Sequence, residues 1–189
     1  ALAYDDAGNL RSVTDAEENT TMYAYDAIGR LTEITDALEH KVVYAYDPAG
    51  NLTRITDPRG NETVFAYDNR DRVARITYPD NTFETFEYSI VGNRVSMTDR
   101  KGNEKTFTYD NLNRMVKKTY EDGEGVEYTY NALGRVTSAE KGVHVTEYVY
   151  DSLGRVTSVS QGNKNVQYTY DAVGNRIGAT YPGQANVQY

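Results

Sequence analysis

The sequence has no cysteine and no tryptophan, and only two histidines and four prolines among its 189 residues. Without cysteine, neither a disulfide framework nor a thiolate metal site can form. No apolar run approaches the ~20 residues of a membrane-spanning helix, so no membrane span is expected. The opening "ALAYDDAGNL" has neither the basic nor the apolar region of a signal peptide, so an export signal is expected outside this segment. Positive charge is scarce too: 20 Lys and Arg stand against 28 Asp and Glu, a formal net charge of -8. Phosphate binding needs clustered cations to displace counterions. Here they are scattered singly, which argues against a nucleic-acid partner.

What is abundant points one way. Eighteen tyrosines outnumber four phenylalanines, with fifteen glycines and a hydrophobic fraction of only 39%. Tyrosine and threonine suit a pleated, half-wetted surface. The tyrosines are also periodic. Tyr4, Tyr25, Tyr46, Tyr67, Tyr88, Tyr109, Tyr130, Tyr150 and Tyr170 mark a repeat whose first six intervals are 21 residues and whose last two are 20. A fixed period of this length signals a repeat architecture. "YDDAGNL", "YDAIGRL", "YDPAGNL", "YDSLGRV" and "YDAVGNR" show the motif, while "YDNRDRV" and "YDNLNRM" keep the Asp and change the Gly. "YSIVGNR" and "YNALGRV" keep the Gly and lose the Asp. The final "NVQY" aligns Tyr189 with Tyr168, so residues 1–189 read as a single array of about nine repeats, cut within a repeat at both ends.

Each unit reads as two strands and two turns. Before the marker, Tyr23 and Tyr25, Tyr44 and Tyr46, Phe65 and Tyr67, Phe86 and Tyr88 alternate onto one face. Phe107 and Tyr109, Tyr128 and Tyr130, Tyr148 and Tyr150, Tyr168 and Tyr170 continue this aromatic ladder. Period-two alternation of aromatic and β-branched residues is the strand signal. In the strand after the loop, Leu31 and Ile34 are three apart and cannot share a face of a flat strand; either Leu31 belongs to the turn or a bulge intervenes.

The loop itself fits a type I turn, with Asp first, accepting an N–H two residues on, and Gly fourth. A fourth residue with positive φ lets that turn follow the twist of a hairpin. Asp5 and Gly8, Asp26 and Gly29, and Asp47 and Gly50 take these places. So do Asp151 and Gly154, Asp171 and Gly174, with Gly92 and Gly134 where the Asp is lost. Asp68 and Asp110 are followed by Asp71 and Asn113 in place of glycine, and Asp and Asn are the residues that next most readily enter the left-handed region. A second turn, clearest in Asp57-Pro58-Arg59-Gly60, repeats the preference. Two turns per repeat favour an antiparallel meander; a parallel β-solenoid is the alternative. Roughly eighteen strands at ~4.8 Å form a ribbon on the order of 85 Å wide, which is expected to curl.

Reactive constellations are missing. His40 and His144 fall in or beside second turns of different repeats, where a solvent-facing histidine is expected. The loop aspartates are accounted for by turn formation, and the glycine-rich nonapeptides of calcium-binding rolls do not occur. No nucleophile elbow is present. Arg30, Arg135 and Arg155, which alternate after the turn with Asn9, Asn51, Asn93 and Asn175, read as turn-flanking polar residues. No catalytic residue, metal or cofactor is expected, and the chain does not read as an enzyme.

Tyr-Asp-x-x-Gly-[Arg/Asn]-[Leu/Val] with "Y-x-Y-D" around it, recurring over the entire chain, resembles the YD repeat of the rearrangement-hotspot (Rhs) family. That family includes insecticidal toxin-complex C components, bacterial wall-associated proteins and teneurins. The resemblance implies a long β-sheet spiralling into a hollow shell. In bacterial toxin members the shell encloses a C-terminal toxin domain; in teneurin-like members it is an extracellular adhesion scaffold. Bacterial cores usually end in a self-cleaving Asp-Pro-x-Gly segment. Asp47-Pro48-Ala49-Gly50 sits mid-array as an ordinary repeat, so that role is not carried over. The expected fold is therefore all-β, an antiparallel hairpin meander in a long curved sheet. The expected function is a structural segment of a toxin-enclosing shell of a secreted or surface bacterial protein. Its partners would be the rest of the parent shell and the enclosed domain, with self-association through open sheet edges. The alternative is a cell-surface module that binds carbohydrate or protein; choline-binding repeats of similar length lean on Trp, which is lacking here.

Overall fold

Alternating strand and turn signals produce strands alone. The computed structural model describes residues 1–183 and 187–188, and every regular element among them is a β-strand. Tyr189 lies outside the described residues. Two compact units divide the chain: Ala1–Glu87 with Thr98–Gly102, and Tyr88–Met97 with Asn103–Tyr189.

The first unit carries β1 (Leu2–Tyr4), β2 (Leu10–Thr14), β3 (Thr20–Tyr25), β4 (Leu31–Thr35) and β5 (Lys41–Tyr46). It continues with β6 (Leu52–Thr56), β7 (Glu62–Tyr67), β8 (Val73–Thr77) and β9 (Phe83–Tyr88). Each strand from β1 to β8 pairs antiparallel with the next. β10 (Arg94–Thr98) follows, and the division between the units falls within β9 and β10. The second unit then runs through β11 (Glu104–Tyr109), β12 (Met115–Tyr120), β13 (Gly125–Tyr130), β14 (Val136–Lys141) and β15 (His144–Tyr150). Beyond these lie β16 (Val156–Gln161), β17 (Lys164–Tyr170), β18 (Arg176–Thr180) and β19 (Val187–Gln188), again paired antiparallel in sequence order from β11. The parallel solenoid is thereby excluded.

The registers resolve the three-residue spacing of Leu31 and Ile34. Tyr25 faces Leu31 and Ala24 faces Glu33, which leaves Thr32 as the extra residue of a β-bulge. One bulge brings Leu31 and Ile34 to the same face, opposite Tyr25 and Tyr23. The bulge recurs at the same place in the hairpins of Tyr4, Tyr46, Tyr67, Tyr109, Tyr130, Tyr150 and Tyr170. Where threonine is the extra residue its hydroxyl can serve the facing carbonyl, as Thr53 does for Ala45 at 3.2 Å.

The drop from 21 to 20 residues also has a local cause. In the last two repeats the second turn is a two-residue loop, Gly142-Val143 between paired Lys141 and His144, and Gly162-Asn163 between paired Gln161 and Lys164. The first loop residue has φ of +56° and +58° respectively, as a type II′ hairpin requires. In earlier repeats the second turn keeps three loop residues, as between Asp36 and His40 and between Tyr120 and Glu124.

Packing is lateral. The aromatic face is half-buried through cross-strand pairs such as Tyr23 with Ile34, Tyr44 with Ile55 and Phe65 with Ile76, while Ala24, Ala66 and Thr108 on the other face are exposed. Among the described residues no side chain is fully buried; the most enclosed are Ala179 at 3% and Thr35 at 7% exposure. Aromatic–aliphatic pairs contribute roughly 0.2–1 kcal/mol each, so cohesion is spread along the array, neighbour by neighbour.

Candidate functional site: the loop rim and the tyrosine ladder

In the turn after each marker the fourth residue is left-handed in all nine copies, from φ +58° at Asp71 and +60° at Asn113 to +100° at Gly174. Gly29 N–H donates to the Asp26 carbonyl at 3.0 Å, and Asp26 N–H to the Arg30 carbonyl at 2.9 Å. This is the type I turn with a glycine bulge that a three-residue hairpin loop uses. The Asp26 carboxylate completes it. Its Oδ1 accepts from the backbone N–H of Ile28 and of Arg30, both at 3.0 Å, and its Oδ2 from Arg30 Nε at 2.6 Å. Asp5, Asp47, Asp68, Asp110, Asp151 and Asp171 repeat the contact to the residue four ahead, whether Arg or Asn. Where Asp is lost, Asn131 Oδ1 takes both backbone bonds at 3.0 Å, and Ser89 Oγ keeps the one from Asn93 at 3.1 Å.

These contacts set the charge state of the rim. The Arg72 side chain, with the N–H groups of Arg70 and Arg72, holds Asp68 down at about 2 against the desolvation that opposes it. Hydrogen bonds from Arg30 lower Asp26, those from Arg114 lower Asp110, and those from Asn9 lower Asp5. The loop carboxylates are therefore ionised and already occupied within their own turns.

The marker tyrosines tie one repeat to the one before. Tyr25 Oη donates to the Leu10 carbonyl at 3.0 Å, Tyr46 to Leu31 at 2.8 Å and Tyr67 to Leu52 at 2.7 Å. Tyr109, Tyr130, Tyr150 and Tyr170 likewise reach Arg94, Met115, Val136 and Val156. Each accepting carbonyl lies at the start of the strand after a loop, and those of Leu10, Leu31, Leu52, Met115, Val136 and Val156 adjoin the bulge. Tyr4, on β1, is 58% exposed. Burial pushes the phenols of Tyr67 and Tyr130 upward.

The loop arginines close the network. Arg30 crosses to the next loop, donating from Nη1 to the Asp47 carbonyl at 3.2 Å while its guanidinium lies 4.6 Å from the Tyr46 ring centroid. Arg114 does the same with Asn131 and Tyr130, and Arg155 with Asp171 and Tyr170. Where the residue is Asn and the next turn lacks glycine, the amide makes the link: Asn51 Nδ2 to Asp71 Oδ1 at 2.8 Å, and Asn93 Nδ2 to Asn113 Oδ1 at 2.9 Å. The arginines are thus inter-repeat clamps, a role that reading them as flanking polar residues missed. A signal existed. Every repeat carrying Arg at this place is followed by one with Gly at the fourth turn position, and Asp71 and Asn113 both follow Asn.

His40 takes the flanking slot of a second turn, its Nδ1 2.9 Å from Asp36 Oδ2, and is exposed; His144 opens β15. Among the described residues no group of three or more His, Asp or Glu is placed to hold a metal, and no helix is long and apolar enough to cross a membrane.

Antiparallel hairpins locked to their predecessors by a phenol and a guanidinium define an all-β hairpin-repeat protein. The chain belongs to the teneurin YD-shell family, whose profile matches residues 1–135 and 80–189. No curated protein matches the sequence. Among solved structures, the TcdB2-TccC3 crystal structure superposes with a TM-score of 0.81 at 17% identity, over 98% of this chain and 12% of that one. The Tc holotoxin pore of Photorhabdus luminescens gives 0.65 at 14%, over 96% and 15%. TcdB2-TccC3 without its hypervariable C-terminal region gives 0.67 at 13%, over 95% and 13%. These likenesses concern the fold, and the chain spans a small fraction of the length of each. It is a structural segment of YD-shell type.

Proposed function

We propose that this chain forms part of the wall of a hollow shell that encloses a toxin or effector domain of a secreted or surface bacterial protein. The observation that carries the reading is the superposition of nearly the whole chain on TcdB2-TccC3, whose TccC3 component belongs to the Tc holotoxin and which has also been solved without a hypervariable C-terminal region. The site chemistry supports it. Loop carboxylates are held within their own turns, while phenols and guanidinium groups join one repeat to the next, as a wall needs. The same economy weighs against the carbohydrate-binding alternative. Sugar stacking needs open ring faces, whereas Arg30, Arg114 and Arg155 lie over the marker rings.

Protease protection tests the reading. The polypeptide encoded by the entire reading frame, treated with a broad-specificity protease under native conditions, should release no fragments from sequence downstream of the array until the array is unfolded. Immediate digestion of that region with the array intact would refute enclosure.

A further inference from the structure

The loop tips of the second unit carry a residue type that neither the turn nor the core requires. The position is the third after each marker tyrosine. In the first unit it holds Ala7, Ile28, Ala49 and Arg70; in the second it holds Val91, Leu112, Leu133, Leu153 and Val173. Turns with Ala49 and Arg70 close with the same hydrogen bonds as those with leucine, so the turn does not call for an aliphatic side chain. Nor does burial. Leu112, Leu133, Leu153 and Val173 are 70%, 73%, 70% and 84% exposed.

These four residues sit on the hairpins β11–β12, β13–β14, β15–β16 and β17–β18, all at one end of consecutively paired strands. Two strands per repeat space the tips by roughly 10 Å, so four of them form a stripe of about 30 Å. Its apolar area is on the order of 400–500 Å², the scale at which an exposed patch marks an interaction site. The charges that border it balance: Arg114 pairs with Asp110 and Arg155 with Asp151, each at 2.6 Å, and the cationic Arg135 offsets Asp171. The rim is therefore apolar at the tip and locally neutral beside it, in a chain whose formal charge is -8.

We infer that this stripe is a self-association surface that seats the same stripe of a second copy of this chain. A second copy matches the ~10 Å period by construction, and a two-fold axis lets one row of leucines meet the other. The balanced border charges remove the like-charge repulsion that the overall acidity would otherwise impose, whereas that acidity opposes docking on an anionic membrane. The area falls below the ~800 Å² per partner of a standard interface, so the dimer should be weak and should form as concentration rises.

Sedimentation equilibrium over a wide concentration range tests the inference. Leu112→Ala, Leu133→Ala and Leu153→Ala together keep a turn residue that Ala7 and Ala49 already supply, and should raise the dimer dissociation constant about tenfold or more. The single change Leu133→Arg, the type that Arg70 carries at this place, should weaken association in the same direction. Circular dichroism of both variants should match the parent. Undiminished association of both folded variants would overturn the inference and place self-contact at the open sheet edges. A strictly monomeric parent at millimolar concentration would overturn it too.

Discussion

Gly29 and Gly154 occupy the same turn position, yet asparagine should be tolerated at the first and resisted at the second. A Cβ at Gly29 would find only Asn9 Oδ1, at 3.8 Å. An asparagine there can adopt the left-handed conformation seen at Asn113 and meet Asn9 as Asn113 meets Asn93. We expect Gly29→Asn to change stability by no more than ~0.5 kcal/mol, small residual strain being offset by a new hydrogen bond. At Gly154 a Cβ would run into the guanidinium of Arg135, which lies over the Tyr150 ring at 5.7 Å from its centroid. Moving that side chain forfeits a cation–π contact of ~0.5–1 kcal/mol with no amide partner in return. Gly154→Asn should therefore cost about 1–2 kcal/mol. The combination Arg135→Asn with Gly154→Asn recreates the Asn51–Asp71 and Asn93–Asn113 arrangement, and should recover at least half of the loss. Urea unfolding midpoints of the parent, the single variants and the double variant measure this as a coupling between neighbours. Equal costs at Gly29 and Gly154, or no recovery in the double variant, would refute the clamp.

The phenol ladder and the rim carboxylates give two further expectations. Tyr67→Phe removes the bond to the Leu52 carbonyl and should cost about 1–2 kcal/mol in the same urea assay; Tyr23→Phe, at a ladder position where other repeats carry Phe65, Phe86 and Phe107, should cost under ~0.5 kcal/mol. Stability should also fall in acid in a defined window. The folded pKa of Asp68 is depressed to about 2, so its contribution is fully present above the unfolded value of ~3.9 and is lost as pH falls through ~2. Asp5, Asp26 and Asp110 are shifted in the same direction and should steepen that loss, read as thermal midpoints between pH 7 and pH 2. Asp68→Asn should flatten the slope.

The strand pattern was legible because aromatic and aliphatic residues alternate where one face is half-buried. The turn was legible because Asp71 and Asn113 stand where only left-handed-tolerant residues fit. Other features lay beyond local reading. Leu31 and Ile34 require a bulge, but spacing alone could not say whether Leu31 was turn or strand; the pairing of Tyr25 with Leu31 and Ala24 with Glu33 decides it. The shortened repeats needed the pairing of Lys141 with His144 to show a two-residue loop. Arg30 reads as a turn-flanking residue, and its clamp role is hidden, because its partners, Asp47 and Tyr46, lie a repeat away in sequence. A side chain that acts across strands leaves no mark on its own turn. Its trace is the pairing of Arg with Gly in the next repeat, a correlation between positions.

The proposed function requires the array to be a wall around an interior. Electron cryomicroscopy of the polypeptide encoded by the entire reading frame tests this most directly. The expected result is a closed β-shell with residues 1–189 in its wall and density for downstream sequence within it. An array open to solvent on both faces, with the downstream sequence outside, would contradict it.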